Sequence, residues 1–141
     1  ARWPVIWLGR ARAKLHAGDF AGAEADCTAA LEMQPTMGEV FSLRSEAREQ
    51  LGNLAGASDD LTEALRLCPG LGHAWSMRGA LRLRSSDCQG AVDDCTEAIR
   101  LDNRDARAYM RRGMANLQLE RFFDAAADSS KALVIDTGLL D

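Results

Sequence analysis

Apolar and small side chains recur along this chain at a fixed interval of 34 residues. Counting from Pro4, Gly38, Gly72 and Ala106 as first positions, an aromatic ring stands at offset 4 (Trp7, Phe41, Trp75, Tyr109). Small residues stand at offset 8 (Ala11, Ser45, Gly79, Gly113), and Ala at offsets 20 and 27 in all four repeats (Ala23, Ala57, Ala91, Ala125; Ala30, Ala64, Ala98, Ala132). No insertion or deletion breaks the register. Between these positions the apolar residues fall at helical spacing, and turn signals divide each repeat in two. The pattern predicts eight helices: about Val5–Ala17, Phe20–Met33, Met37–Leu51, Leu54–Leu67, Gly72–Arg84, Cys88–Leu101, Asp105–Leu119 and Phe122–Ile135. Gly18-Asp19, Gly52-Asn53 and Ser86-Asp87 are the tight turns, with Asp87 as an N-cap, and Gly138 is the expected C-cap. Offset 8 must be small because the two helices of a repeat cross there. A period in this range marks a stacked repeat protein.

The pattern resembles the tetratricopeptide repeat (TPR), over about residues 4–139. The family's aromatic, small and Ala positions are those just given, and Pro35 and Pro69 hold its closing Pro, replaced in the last two repeats by Asn103 and Thr137. The resemblance implies an all-α fold, a right-handed α-solenoid of four helix-turn-helix units with no C-terminal capping helix. It implies a single TPR domain over residues 1–141, with units of about 4–37, 38–71, 72–105 and 106–139. The chain opens Ala1-Arg2-Trp3-Pro4, without an initiator Met, and is expected to be part of something longer. The text Asp94-Cys-Thr-Glu-Ala-Ile99 is similar to repeats of the co-chaperone branch of the family. Two offsets depart from the family pattern. Offset 7, usually aliphatic, holds Arg10, Arg44, Arg78 and Arg112; offset 11, usually Tyr, holds Lys14, Arg48, Arg82 and Asn116.

The recurrent Arg has a recurrent counterpart at offset 23, where Asp26, Asp60, Asp94 and Asp128 stand midway along each second helix. The two series are expected to pair as a register-fixing ladder, within a repeat or across to the next. As exposed pairs they would contribute only about 0–1 kcal/mol each. Thr28, Thr62, Thr96 and Ser130 at offset 25 are expected to bond back to the preceding helical turn.

Net charge is −4, which gives no general attraction to nucleic acid. No apolar run approaches the roughly 18 residues of a membrane helix. Cys27, Cys68, Cys88 and Cys95 show no metal-binding spacing, and Cys27 and Cys95 share offset 24, where burial is expected. Cys88 and Cys95 lie about 10 Å apart along one helix, too far to bridge. A reducing, intracellular setting is expected. His16 and His73 stand alone, and no nucleophile triad, phosphate loop or metal-ligand group appears, so neither catalysis, a metal nor a cofactor is expected.

In the family the first helices of successive repeats line a concave groove, and the resemblance assigns offsets 2, 5, 6, 9, 12 and 13 to it. The C-terminal half of this set is apolar and basic: His73, Met77, Arg84, Arg107, Met110, Arg111 and Met114 form the expected peptide-binding site. Methionine adapts to varied partners, and Arg holds carboxylates in bidentate fashion. The family's carboxylate clamp for chaperone tails maps onto Ser42, Glu46, Met77, Arg107 and Arg111, of which only the last pair fits. The expected function is therefore a scaffold that binds an extended or helical protein segment of mixed apolar and acidic character. The alternatives are a structural subunit held by its ends and convex face, and the targeting domain of an enzyme whose catalytic part lies elsewhere.

Overall fold

The computed structural model describes residues 3–138. They form eight α-helices: α1 Trp3–Ala17, α2 Phe20–Met33, α3 Gly38–Gln50, α4 Leu54–Leu67, α5 Gly72–Arg84, α6 Cys88–Leu101, α7 Ala106–Gln118 and α8 Phe122–Thr137. No strand occurs among the described residues. The chain divides into two compact units, Ala1–Pro69 and Gly70–Asp141, each holding two of the repeats. In the first unit α1 pairs with α2 and α3 with α4, and α3 packs on both α1 and α2; in the second α5 pairs with α6 and α7 with α8, and α7 packs on both α5 and α6.

Helices α2, α4, α5 and α6 begin and end where the sequence pattern places them. The other four differ by one or two residues at an end. Met37 and Asp105 are N-caps, and Leu51 and Leu119 are C-caps, so each stands just outside a helix that the apolar periodicity would include. Gly138 closes α8 in the left-handed conformation, with φ 64°, and donates its N–H to Val134 O at 2.8 Å.

The hairpin turns repeat one geometry. Offset 15 has positive φ in every repeat: Gly18 at 86°, Gly52 at 83°, Ser86 at 66° and Glu120 at 61°. Glycine adopts this conformation without strain; Ser86 and Glu120 hold it against their own Cβ. The next residue caps the second helix. Asp19, Asn53 and Asp87 each accept a bond of 3.0 Å from the N–H of a glycine three residues on (Gly22, Gly56, Gly90). A Cβ at any of those glycines would come within 2.4 Å of the capping side chain and would push the cap out of place.

The core of the first unit gathers Leu8, Ala11, Cys27, Ala30, Leu31, Val40 and Leu43, flanked by Trp7, Leu15, Met37 and Phe41. The buried Cys27 and Cys95 thiols are pushed up to about 12, chiefly by desolvation, so they act as small apolar groups. The offset-8 constraint is visible at Gly79, where a Cβ would stand 2.8 Å from Cys95 Sγ and 3.5 Å from the Ala91 carbonyl. The equivalent pair in the first repeat, Ala11 and Cys27, shares one core cluster, so a methyl at this position can be absorbed by movement of the thiol. A branched side chain has nowhere to go. Gly79→Leu is accordingly expected to lower unfolding free energy by roughly 1–3 kcal/mol, with Gly79→Ala much closer to the parent chain, as read by urea denaturation.

Candidate functional site

Whether an arginine can serve a ligand depends on what already holds it. The offset-7 arginines are all engaged within their own repeats. Arg10 Nε and Nη2 donate to Asp26 at 2.8 and 2.7 Å, Arg44 to Asp60 at 3.0 and 2.7 Å, Arg78 to Asp94 at 3.0 and 2.9 Å, and Arg112 to Asp128 at 2.9 and 2.7 Å. The expected ladder is therefore real, but its energetics are not those of exposed pairs. All four carboxylates are buried, Asp94 to 1% exposure. A buried carboxylate needs a partner far more than a surface one does. Each guanidinium also stacks on the ring three residues before it: Arg10 on Trp7, Arg44 on Phe41, Arg78 on Trp75 and Arg112 on Tyr109, at 4.6, 5.5, 5.1 and 5.7 Å from the ring centres.

The departures at offset 11 turn out to belong to the same construction. Four residues after the ladder arginine, on the same helix face, Lys14, Arg48 and Arg82 reach Asp26, Asp60 and Asp94 at 3.2, 3.1 and 3.0 Å. In the fourth repeat Asn116 takes that place, with its Nδ2 3.3 Å from Asp128. The signal was in the sequence, since i and i+4 side chains meet, but it is seen only when both departures are read together. Three of the four offset-25 hydroxyls bond back as expected, Thr28 to Glu24 O, Thr62 to Ser58 O and Thr96 to Val92 O; the Ser130 hydroxyl does not. Thr28 and Thr96 also accept a bond from the next repeat's ladder arginine, Arg44 and Arg112, each at 3.2 Å.

The candidate peptide-binding residues all lie on α5 and α7, within the second compact unit. They do not contribute alike. Met77 is only 8% exposed and is a packing residue. Arg111 is half-buried and ties α7 to α5, its Nη1 donating to Ser76 Oγ at 2.7 Å and to Ser76 O at 3.1 Å. His73, Arg84 and Arg107 are exposed. Met110 and Met114 are 49% and 48% exposed, and Leu117, one turn further along α7, is 56% exposed. These three form one apolar stripe at i, i+4 and i+7. The equivalent positions of α3 are Ser42, Glu46 and Glu49, so packing alone does not demand the stripe.

Among the described residues, no group of three or more His, Cys, Asp or Glu is placed to hold a metal ion. No helix among the described residues is long and apolar enough to cross a membrane.

Comparison with known proteins points one way. The model of the tetratricopeptide repeat family matches residues 2–71 and 76–138. The Arabidopsis OM64 TPR domain is 33% identical, over 72% of this chain and 86% of that one, with a TM-score of 0.70. The first TPR of Spaghetti (RPAP3), solved bound to an HSP90 peptide SRMEEVD, is 19% identical over 85% of this chain and 95% of that one, with a TM-score of 0.82. MamA from Desulfovibrio magneticus RS-1, residues 41 to the end, is 20% identical over 97% and 77%, with a TM-score of 0.89. At such identities these last two show likeness of fold. None of the curated proteins compared matches the chain.

Two outcomes follow from the buried carboxylates. Asp94→Ala would remove the buried carboxylate that Arg78 and Arg82 share, and is expected to lower stability by ~3–5 kcal/mol in denaturant titration, more than the joint change Arg78→Leu/Asp94→Leu. Hydrogen bonds from Arg10, and then Lys14, hold the Asp26 carboxyl below its ordinary 3.8. Its contribution is therefore complete above the unfolded value and lost as pH falls through the lower folded one. Melting temperature measured from pH 7 down to about pH 2 is expected to drop less steeply below roughly pH 4 in Asp26→Asn than in the parent chain.

Proposed function

Because the chain belongs to the tetratricopeptide repeat family, whose domains mediate protein–protein interaction, we propose that it binds a partner segment along α5 and α7. The observation that carries this reading is the exposed Met110, Met114 and Leu117 stripe, beside the exposed Arg107. Water-facing apolar side chains on one helix face, where the sister helix α3 is polar, fit a surface built for contact. Methionine and leucine take up apolar side chains of varied shape, and Arg107 adds a carboxylate-seeking charge. A segment mixing apolar and acidic residues suits that pairing. The RPAP3 peptide SRMEEVD has this character. The clamp geometry for such tails is not reproduced here, since Met77 is buried and Arg111 is engaged by Ser76.

A second reading has its own observation. Phe122, Phe123 and Leu133 on α8 are all strongly exposed, Phe123 almost wholly. That face suits a structural subunit held within a larger assembly.

A fluorescent peptide alternating Leu or Met with Glu is expected to bind with Kd of about 1 µM, or about −8 kcal/mol. Its counterpart with Lys for Glu should bind far less, and raised salt should weaken the first. Arg107→Glu/Met114→Asp is expected to reduce affinity at least about tenfold, as read by anisotropy. Unchanged affinity in that variant would overturn the α5–α7 reading. Association of the chain that survives it but is lost in Phe123→Asp would favour the second.

A further inference from the structure

A surface cavity of ≈ 370 Å³ opens among α6, α7 and α8, away from α5. Its walls include Val92 from α6, Arg112 and Asn116 from α7, Asp124 and Asp128 from α8, and Arg121 just ahead of α8. Three of these are positions at which the fourth repeat breaks from the other three. Offset 11 is cationic in Lys14, Arg48 and Arg82 but is Asn116 here. Offset 16 caps the second helix as Asp19, Asn53 and Asp87 but is Arg121 here, and α8 has no side-chain N-cap. Offset 19 is glycine three times and then Asp124. Packing does not ask for these changes, and the helix loses its cap by them. All three meet in one hollow.

The equivalent place in the first compact unit shows what is missing. There Arg48 lies between two carboxylates, 2.8 Å from Glu24 and 3.1 Å from Asp60. In the second compact unit Glu24 becomes Val92 and Arg48 becomes Asn116. Of the four buried carboxylates, Asp26, Asp60 and Asp94 each hold two cations; Asp128 holds Arg112 alone, with Asn116 at 3.3 Å as a long, neutral substitute. Asn116 is only 4% exposed, and that contact is its sole side-chain hydrogen bond among the described residues. The Asp124 side chain forms no hydrogen bond or ion pair among them. The cavity's own cations are already engaged. Arg112 donates to Asp128 and to Thr96, and Arg121 donates to Gln89 at 2.8 Å. What the hollow still offers is acceptor oxygen, on Asp124, Asp128 and the Asn116 amide, beside the apolar surface of Val92 and Ala127. An extended methylene stem ending in a planar, five-donor cation matches that combination; a compact ammonium matches the fork of acceptors less well.

We propose that this cavity receives an arginine side chain of a partner protein, whose guanidinium becomes the second cation of Asp128. The site uses a different set of helices from the α5–α7 surface, and it stands or falls separately.

The test is an NMR titration of the ¹⁵N-labelled chain with N-acetyl-arginine amide. Saturable shifts of the Asn116 side-chain amide and the Asp128 backbone amide are expected, with a Kd of roughly 1–10 mM for so small a probe. The neutral isostere N-acetyl-citrulline amide is expected to bind at least about tenfold more weakly, as loss of a charge-assisted pair requires. Asn116→Arg, which copies Arg48 and Arg82, should keep the fold and abolish the shifts by filling the hollow from within. Asp124→Gly copies the other repeats and should weaken binding several-fold while leaving the fold intact. Equal binding of the citrulline probe, shifts that persist in Asn116→Arg or are unaltered in Asp124→Gly, or the same amides moving with acetate instead would each overturn the proposal.

Discussion

A carboxylate taken out of water must be met by positive charge at hydrogen-bond distance, or its burial is prohibitively unfavourable. Each repeat of this protein contains that problem and its solution. An aspartate midway along the second helix is buried, and an arginine midway along the first reaches it through two nitrogens, from 16 residues away. The arginine is thereby held at the hairpin, with its guanidinium carbon over the aromatic ring of its own helix. Small residues at the crossing let the helices approach closely enough for the pair to form. Crossing distance, ring position and hairpin register are all tied to this one contact.

Most of the secondary structure was legible because the period is strict. Four helices were bounded to the residue, and the turn, N-cap and C-cap residues were read correctly from Gly18, Asp87 and Gly138. The errors at Met37 and Asp105 come from caps whose neighbours share the helical spacing. The pairing of Arg with Asp was legible too, since both series recur at fixed offsets. Burial of the aspartates was not. A polar residue's exposure depends on which helices cover it, and the sequence gives only its offset.

Site residues were harder for the same reason. Met77 and Met110 are both methionines on a first helix, but one faces a neighbouring helix and the other faces water. Arg107 and Arg111 lie one turn apart, yet Arg111 is captured by Ser76, a residue 35 positions earlier. Such a contact needs two helices side by side before it can be recognised. The offset-11 series illustrates the opposite case. Lys14, Arg48 and Arg82 are departures from the family pattern, and only in the folded hairpin do they meet the same aspartates as the ladder.

The span over which each charge pair closes has a consequence for how such a chain can change. Every buried aspartate finds its arginine inside its own 34 residues. A repeat copied, deleted or exchanged by recombination therefore carries both halves of its electrostatics with it, and leaves no orphaned ion behind. The same locality keeps sequence separation small for the contact that fixes each hairpin, so the pairs can form early and independently along the chain.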